Sequence, residues 1–267
     1  MTDAQGEIAA GRRFGFGRNW SDFLDGLTPE RIQRAEAALA DMLGSTSLAG
    51  KSLLDIGSGS GLSSLAARRL GASVTAFDYD PESVDAANRL KARERPSDDG
   101  WTIAVGSVLD EAAMARLPAF DIVYSWGVLH HTGALWRALD IAAGKVRPGG
   151  TLFVALYNDQ GWISRYWSAV KRLYNAGPFW RMAMIAVHAP YLFGARYVLR
   201  LLTGRLHLER GMSMWHDMLD WLGGYPFEVA TPASVTAFCR ARGFDPARVV
   251  TCGGRHGCNE FVLVRRS

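Results

Sequence analysis

Two groups of residues in this chain are typed and spaced for chemistry. The first is a backbone cradle: Gly57, Gly59 and Gly61 alternate directly after Asp55, in Leu53-Leu54-Asp55-Ile56-Gly57-Ser58-Gly59-Ser60-Gly61. Glycine lets the chain turn tightly and lets a ligand approach closely, because no Cβ stands in the way. The second group can move a proton: the adjacent His130 and His131, and the run Trp215-His216-Asp217. An unperturbed histidine titrates near neutrality and can act as the base for a hydroxyl. His216 can be oriented by Asp217 or Asp220, and Trp215 and Trp221 can sandwich a flat ring. Each has a plainer use. A histidine can anchor a loop, and the aromatics can fill a core.

The elements around the cradle say what it would hold. Leu53 to Ile56 reads as a buried strand, and Leu62 to Leu70 as a helix with Leu62, Leu65, Ala66 and Leu70 on one face. Strand, glycine loop and helix together open a nucleotide-cofactor fold. A dinucleotide fingerprint needs Gly-x-Gly-x-x-Gly. Here Leu62 stands at the third glycine position, and the glycine falls one residue early at Gly61. The next strand, Ser73 to Asp78, ends in a carboxylate that can accept both hydroxyls of a ribose. Tyr79-Asp80-Pro81 follows as a turn, with Pro81 placed to start a helix. A third strand is expected over Trp101 to Val105, before Gly106-Ser107-Val108-Leu109-Asp110, and a fourth over Phe120 to Ser125, before Trp126-Gly127-Val128-Leu129-His130-His131. Val146 to Gly150 reads as a turn feeding a fifth strand, Thr151 to Tyr157.

The pattern Asp55-x-Gly57-x-Gly59-x-Gly61, with Asp78, Val128 to His131 and Arg147 to Gly150 in order, resembles the class I S-adenosylmethionine (SAM) dependent methyltransferases. Within them it is similar to quinol or phenol O-methyltransferases of the ubiquinone-biosynthesis type. The resemblance implies an α/β, Rossmann-like, doubly wound seven-stranded sheet, mostly parallel with one antiparallel strand at the end. It implies that SAM is held by Asp55, Gly57, Ser58, Gly59 and Gly61, with Asp78 on the ribose and Tyr79 against the adenine. Ser107, Val108 and Asp110 would lie near the adenine edge, and backbone groups of Ser125 and Trp126 beside the methionine. Many relatives carry an acidic residue where Ser107 stands. Trp20, Tyr157 and Asn158 join Trp215 and Trp221 as expected substrate contacts, the last strand ends being where ligands sit in such sheets.

Bulk properties fit a small-molecule enzyme. The chain has 267 residues, 48% of them apolar, with 30 basic and 26 acidic side chains and a net charge of +4. That balance does not ask for nucleic acid, and no base-flipping motif is present. Three cysteines make no disulfide framework, and the polar start, Met1 to Ala10, lacks a signal-peptide core, so a cytoplasmic setting is expected. Cys252, His256 and Cys258 match no common zinc spacing, and no metal is expected. The expected organisation is an N-terminal helical flap (1–45), a cofactor-binding core (46–158), a helical lid (159–230) and a closing helix and strands (231–267). In the lid, residues 179–202 are rich in aromatic and aliphatic side chains with interspersed arginines. The uninterrupted apolar run is too short to span a bilayer. It reads either as a lid packed on the sheet or as a peripheral membrane contact. Methyl transfer to a hydroxyl of a small molecule is the leading reading. A polar acceptor (sugar, amine or thiol), a SAM-binding protein without catalysis and a nicotinamide oxidoreductase stand as rivals.

Overall fold

The computed structural model describes residues 6–7, 10–195, 214–254 and 257–267. Seven strands form one sheet in the order β3-β2-β1-β4-β5-β7-β6. They are β1 (Ser52–Ile56), β2 (Ser73–Asp78), β3 (Trp101–Val105), β4 (Phe120–Trp126), β5 (Val146–Tyr157), β6 (Phe244–Val250) and β7 (Cys258–Arg265). The pairs among β1 to β5 are parallel, and β7 runs antiparallel to both β5 and β6. This is the expected α/β, doubly wound sheet with one reversed strand. The order reverses between β1 and β4, which puts the cofactor crevice of such sheets at their carboxyl ends.

The helices, in chain order, are α1 (Gly17–Asp25), α2 (Pro29–Leu43), α3 (Leu62–Arg69), α4 (Pro81–Glu94), α5 (Glu111–Arg116), α6 (Leu135–Gly144), α7 (Trp162–Asn175), α8 (Pro178–Ala189), α9 (Met214–Gly223) and α10 (Pro232–Arg240). Local signals set several starts. Asp80 caps α4 by accepting the Glu82 N–H, and Thr231 caps α10 by accepting the Ser234 N–H. Each of these two helices carries proline in its first turn. A second apolar layer on one face of the sheet includes Phe23, Ile32, Leu53, Leu65 and Trp101, while Ile56, Leu129, Leu139, Leu152 and Phe261 belong to the other.

Two details depart from the sequence expectation. β5 begins at Val146 rather than Thr151, because Val146 pairs with Phe120 before the register shifts and resumes at Ile122 with Thr151. The looped-out residues turn at Gly149, whose φ is +73°, and Arg147 there forms an ion pair with Asp121. The sequence pattern predicts a closing helix from Pro232 to Arg242 ended by Gly243, whereas α10 stops at Arg240. Between β5 and α10 lie α7, α8, a single π-type turn (Pro190–Ala195) and α9, packed around Trp167, Val170, Tyr174, Leu192, Met218 and Leu222. The part of the 179–202 segment beyond residue 195 lies outside the described residues, as does His256, for which no metal role is expected. Among the described residues no helix is long and apolar enough to cross a membrane.

Candidate active site

The glycine loop leaves β1 at Ile56 and turns into α3 at Leu62. Gly57, Gly59 and Gly61 take φ values of +78°, +52° and +80°, which L side chains rarely adopt. The loop is also crowded. A Cβ at Gly57 would sit 2.4 Å from Val128, and one at Gly59 would sit 2.9 Å from the Trp20 indole. The β4 loop and α1 therefore press on the cradle from two sides.

Two acids flank this loop, the buried Asp55 and the half-buried Asp78. Asp55 accepts a hydrogen bond from the Ser64 hydroxyl at 2.6 Å. Burial pushes its carboxyl up to about 7, the Ser64 bond opposes that rise, and the nearby Asp78 adds to it. Asp78 ends β2, where Oδ2 accepts the Gly59 N–H and Oδ1 the Asp80 N–H, each at 2.9 Å. Burial raises this carboxyl to about 6 against those backbone bonds. The Tyr79 N–H also bears on this carboxylate, and its remaining acceptor capacity is open to a ligand hydroxyl. The buried Ser58 hydroxyl has no partner among the described residues. An unpartnered buried hydroxyl, a cradle that excludes Cβ atoms and an acid at the end of β2 are a donor set that fits an adenosyl cofactor.

The other residues expected to hold the cofactor make the following contacts. The Tyr79 hydroxyl donates to Glu7 Oε2 at 3.0 Å, and the Arg13 guanidinium lies over its ring, 4.5 Å from the centroid. Ser107 Oγ accepts the Leu109 N–H, and Asp110 caps α5 by accepting the Ala113 N–H, so both hold the turn after β3. The Val108 side chain is buried in the core. Ser125 donates to the Ile56 carbonyl at 3.0 Å, tying β4 to β1. The Trp126 indole donates to Glu260 at 2.7 Å. Trp20, expected on the substrate, lies instead against the glycine loop.

The histidines sit in a short helical turn (Leu129–His131) between β4 and α6. His130 Nδ1 accepts the Tyr157 N–H at 3.3 Å, and its ring stacks on Tyr157 with centroids 3.9 Å apart. Accepting at Nδ1, the neutral ring carries its proton on Nε2, which is buried and without a partner among the described residues. His131 Nδ1 lies 2.6 Å from the Pro226 carbonyl and must donate to it, which leaves Nε2 with the free lone pair. Burial holds both rings neutral. It lowers His130 well below the usual histidine range and His131 to about 3, with Lys171 adding to both. The near-neutral titration that singled these residues out in the sequence is therefore not kept in the folded chain.

An aromatic cluster surrounds them. Tyr157 lies 5.4 Å from Trp221 and 5.2 Å from Phe227, and His131 lies 5.2 Å from Phe16. Lys171 of α7 is fully buried among these rings, 4.5 Å from the Trp221 centroid and 4.8 Å from that of Phe227, and donates to the Trp221 carbonyl. Asn158 is not part of the cluster. Its amide donates to Gly253 and accepts from Asn259 in the β6–β7 hairpin. Trp215, His216 and Asp217 lie on α9, but their side chains are outside the described residues. Sequence reading missed Arg13, Lys171 and Phe227. Lysine at a helical position reads as solvent-facing, and nothing local marks residues 13 or 227.

The strand order, the cradle at the carboxyl edge and the acid ending β2 define an α/β protein that holds an adenosyl cofactor. Residues 28–205 match the family of the methyltransferase domain. The chain is 33% identical over 199 residues to a ubiquinone biosynthesis O-methyltransferase of Xanthomonas campestris, spanning 74% of this chain and 69% of the relative. It is 29% identical over 181 residues to the protein of that name from Cronobacter sakazakii, spanning 68% and 63%. A magnesium protoporphyrin IX methyltransferase from Synechocystis, solved with bound SAM, shares the fold with a TM-score of 0.58 at 14% identity, covering 99% of this chain and 98% of that one. The chain belongs to the class I SAM-dependent methyltransferases, and its cofactor is SAM.

Proposed function

We propose that this methyltransferase acts on a hydroxyl oxygen of an aromatic, quinol- or phenol-like small molecule. The observation that carries the reading is the aromatic cluster at the histidine turn, in which Phe16 and Tyr157 lie against His131 and Trp221 and Phe227 lie against Tyr157. Flat rings stack well on such surfaces. The names of the O-methyltransferase relatives support the choice of oxygen.

Bound SAM supplies an electrophilic methyl on a sulfonium, so orientation of the acceptor does most of the remaining work. In this reading Asp78 accepts the ribose hydroxyls and Tyr79 bears on the adenine. Asp55 and the loop from Gly57 to Gly61 hold the amino-acid end. His131 Nε2, fixed as the lone-pair nitrogen by the Pro226 contact, accepts a hydrogen bond from the hydroxyl and aims its oxygen at the methyl. With its pKa held at about 3 the ring does not keep the proton, which passes to water as the ether bond forms. His130 donates from Nε2 towards the bound oxygen or a water. The aromatic residues exclude solvent.

Residues 1–45 serve as a flap and 159–230 as a lid over the acceptor. On the lid, Phe179, Met182 and Val187 of α8 and the neighbouring Tyr191 are exposed, Phe179 to 74%. These exposed apolar side chains support a peripheral lipid contact. Flotation with anionic lipid vesicles should carry the protein up, and Phe179→Ser with Met182→Ser should leave it at the bottom.

The acceptor class is tested by incubating the protein with methyl-labelled SAM and host-cell extract, then partitioning the label. Organic-phase label that is lost on Asp78→Ala supports a lipophilic quinol or phenol. Label confined to the aqueous small-molecule fraction overturns that class in favour of a sugar, amine or thiol. No transferred label points to a SAM-binding role without turnover.

A further inference from the structure

The polar contacts of Arg13 reach from Tyr79 at the end of β2 to the histidine turn. Its guanidinium covers the Tyr79 ring at 4.5 Å, its Nη1 donates to the His131 carbonyl at 2.7 Å, and its Nε donates to Glu7 at 3.1 Å. Glu7 in turn accepts the Tyr79 hydroxyl at 3.0 Å. Arg13, Tyr79 and Glu7 thus close a loop of contacts between the strap at the start of the chain and the end of β2, and the Arg13 bond to His131 ties that loop to the turn after β4. The strap is pinned on both sides of Arg13. Towards the acceptor side, the Phe14 N–H donates to the Tyr225 carbonyl at 3.0 Å, and the Phe14 ring fills the space beside Gly223, where a Cβ would lie 2.2 Å away. Towards the cofactor side, the Gly17 N–H donates to Asp80 Oδ2 at 2.9 Å, and Trp20 covers Gly59.

We propose that the strap from Arg13 to Trp20 closes over bound cofactor, and that Arg13 is the positioning residue that couples cofactor occupancy to the placement of His131. This rests on the assignment of Tyr79 and the glycine loop to SAM. A ligand can drive closure only if it binds the closed state better than the open one. The closed strap supplies that difference: Trp20 walls the glycine loop, and Arg13 fixes the ring of Tyr79. A guanidinium is suited to the task because it stacks on a ring face while donating in its own plane to a carbonyl. The order of events follows. Cofactor enters with the strap raised, the strap then settles, and only then is the carbonyl of His131 held and the acceptor side complete.

The test is hydrogen–deuterium exchange over residues 14–24 of the full chain, with and without saturating S-adenosylhomocysteine, alongside calorimetric binding of the same compound. In the wild type the compound should slow exchange at Phe14, Gly17 and Trp20 several-fold. Arg13→Ala should still bind it but lose that slowing, and Arg13→Lys, which keeps the charge but not the planar fork, should recover only part. An exchange rate indifferent to the compound in the wild type overturns the proposal, as does full slowing in Arg13→Ala. Absence of calorimetric binding instead removes the cofactor assignment beneath it, and the proposal falls with it.

Discussion

Asp78 Oδ2 accepts the Gly59 N–H at 2.9 Å, so the acid that ends β2 also ties down the middle glycine of the cofactor loop. One carboxylate thus shapes the cradle and, in the proposed reading, also takes the ribose hydroxyls of the cofactor. Burial raises its pKa to about 6. A protonated carboxyl accepts less well, so affinity for S-adenosylhomocysteine should fall as pH drops through about 6. Asp78→Asn should bind about tenfold or more weakly at neutral pH, the loss of a charged hydrogen bond, with a flatter pH response over that window. Calorimetric titration across the pH range checks both. An unchanged pH response in Asp78→Asn would place the titrating group elsewhere.

Asp55 makes the opposite prediction for stability. Its folded pKa, about 7, lies above the ordinary aspartate value of 3.8, so the folded chain is the better proton binder. The ionised carboxyl therefore weighs against the fold increasingly as pH rises through that window, and fully above it. Asp55→Asn should raise Tm by several degrees at about pH 8 and by much less at about pH 5. Gains of equal size at both pH values would contradict the burial argument. Loss of cofactor binding in the same variant would show that the destabilising charge is kept for function.

Gly57 is fixed by both conformation and space. Its φ is +78°, and Val128 occupies the place a Cβ would take. Gly57→Ala should cost about 1–2 kcal/mol for the left-handed backbone alone, with more for the collision. Denaturant unfolding of the variant measures it. Val128→Ala in the same chain should recover the collision part and leave the backbone part.

These cases show what local sequence carries. The cradle, α3 and α4 were legible because each is written in consecutive residues: an apolar run, glycines that need positive φ, and Asp80-Pro81 at a helix start. The start of β5 was not legible, since a register shift opposite Phe120 depends on the partner strand and on Asp121 holding Arg147. The acceptor side was legible only in part. His130, His131, Tyr157 and Trp221 do converge, but Lys171, Phe227 and Phe16 come to them from three distant segments. Burial also altered the histidines themselves, taking His131 from near neutrality to about 3. No residue spacing announces that.

The opposite tautomers of the histidine pair separate their roles. His131→Gln removes the lone pair at Nε2 and should lower kcat by about a hundredfold or more while leaving S-adenosylhomocysteine binding intact. His130→Gln removes a buried donor that stacks under Tyr157, so its larger effect should fall on acceptor KM and on Tm. Label transfer in host-cell extract, with calorimetry in parallel, reads both. Equal losses of cofactor affinity in the two variants would make the pair structural.

The most direct measurement is of the atom that receives the methyl. Methyl-labelled SAM is turned over with host-cell extract, and the labelled product is isolated and examined by carbon NMR, in the wild type and in His131→Gln. A methoxy carbon on an aromatic product, formed by the wild type and nearly absent with His131→Gln, is the result expected. A methyl on nitrogen, sulfur or carbon, or a methoxy product formed equally well without His131, would contradict it.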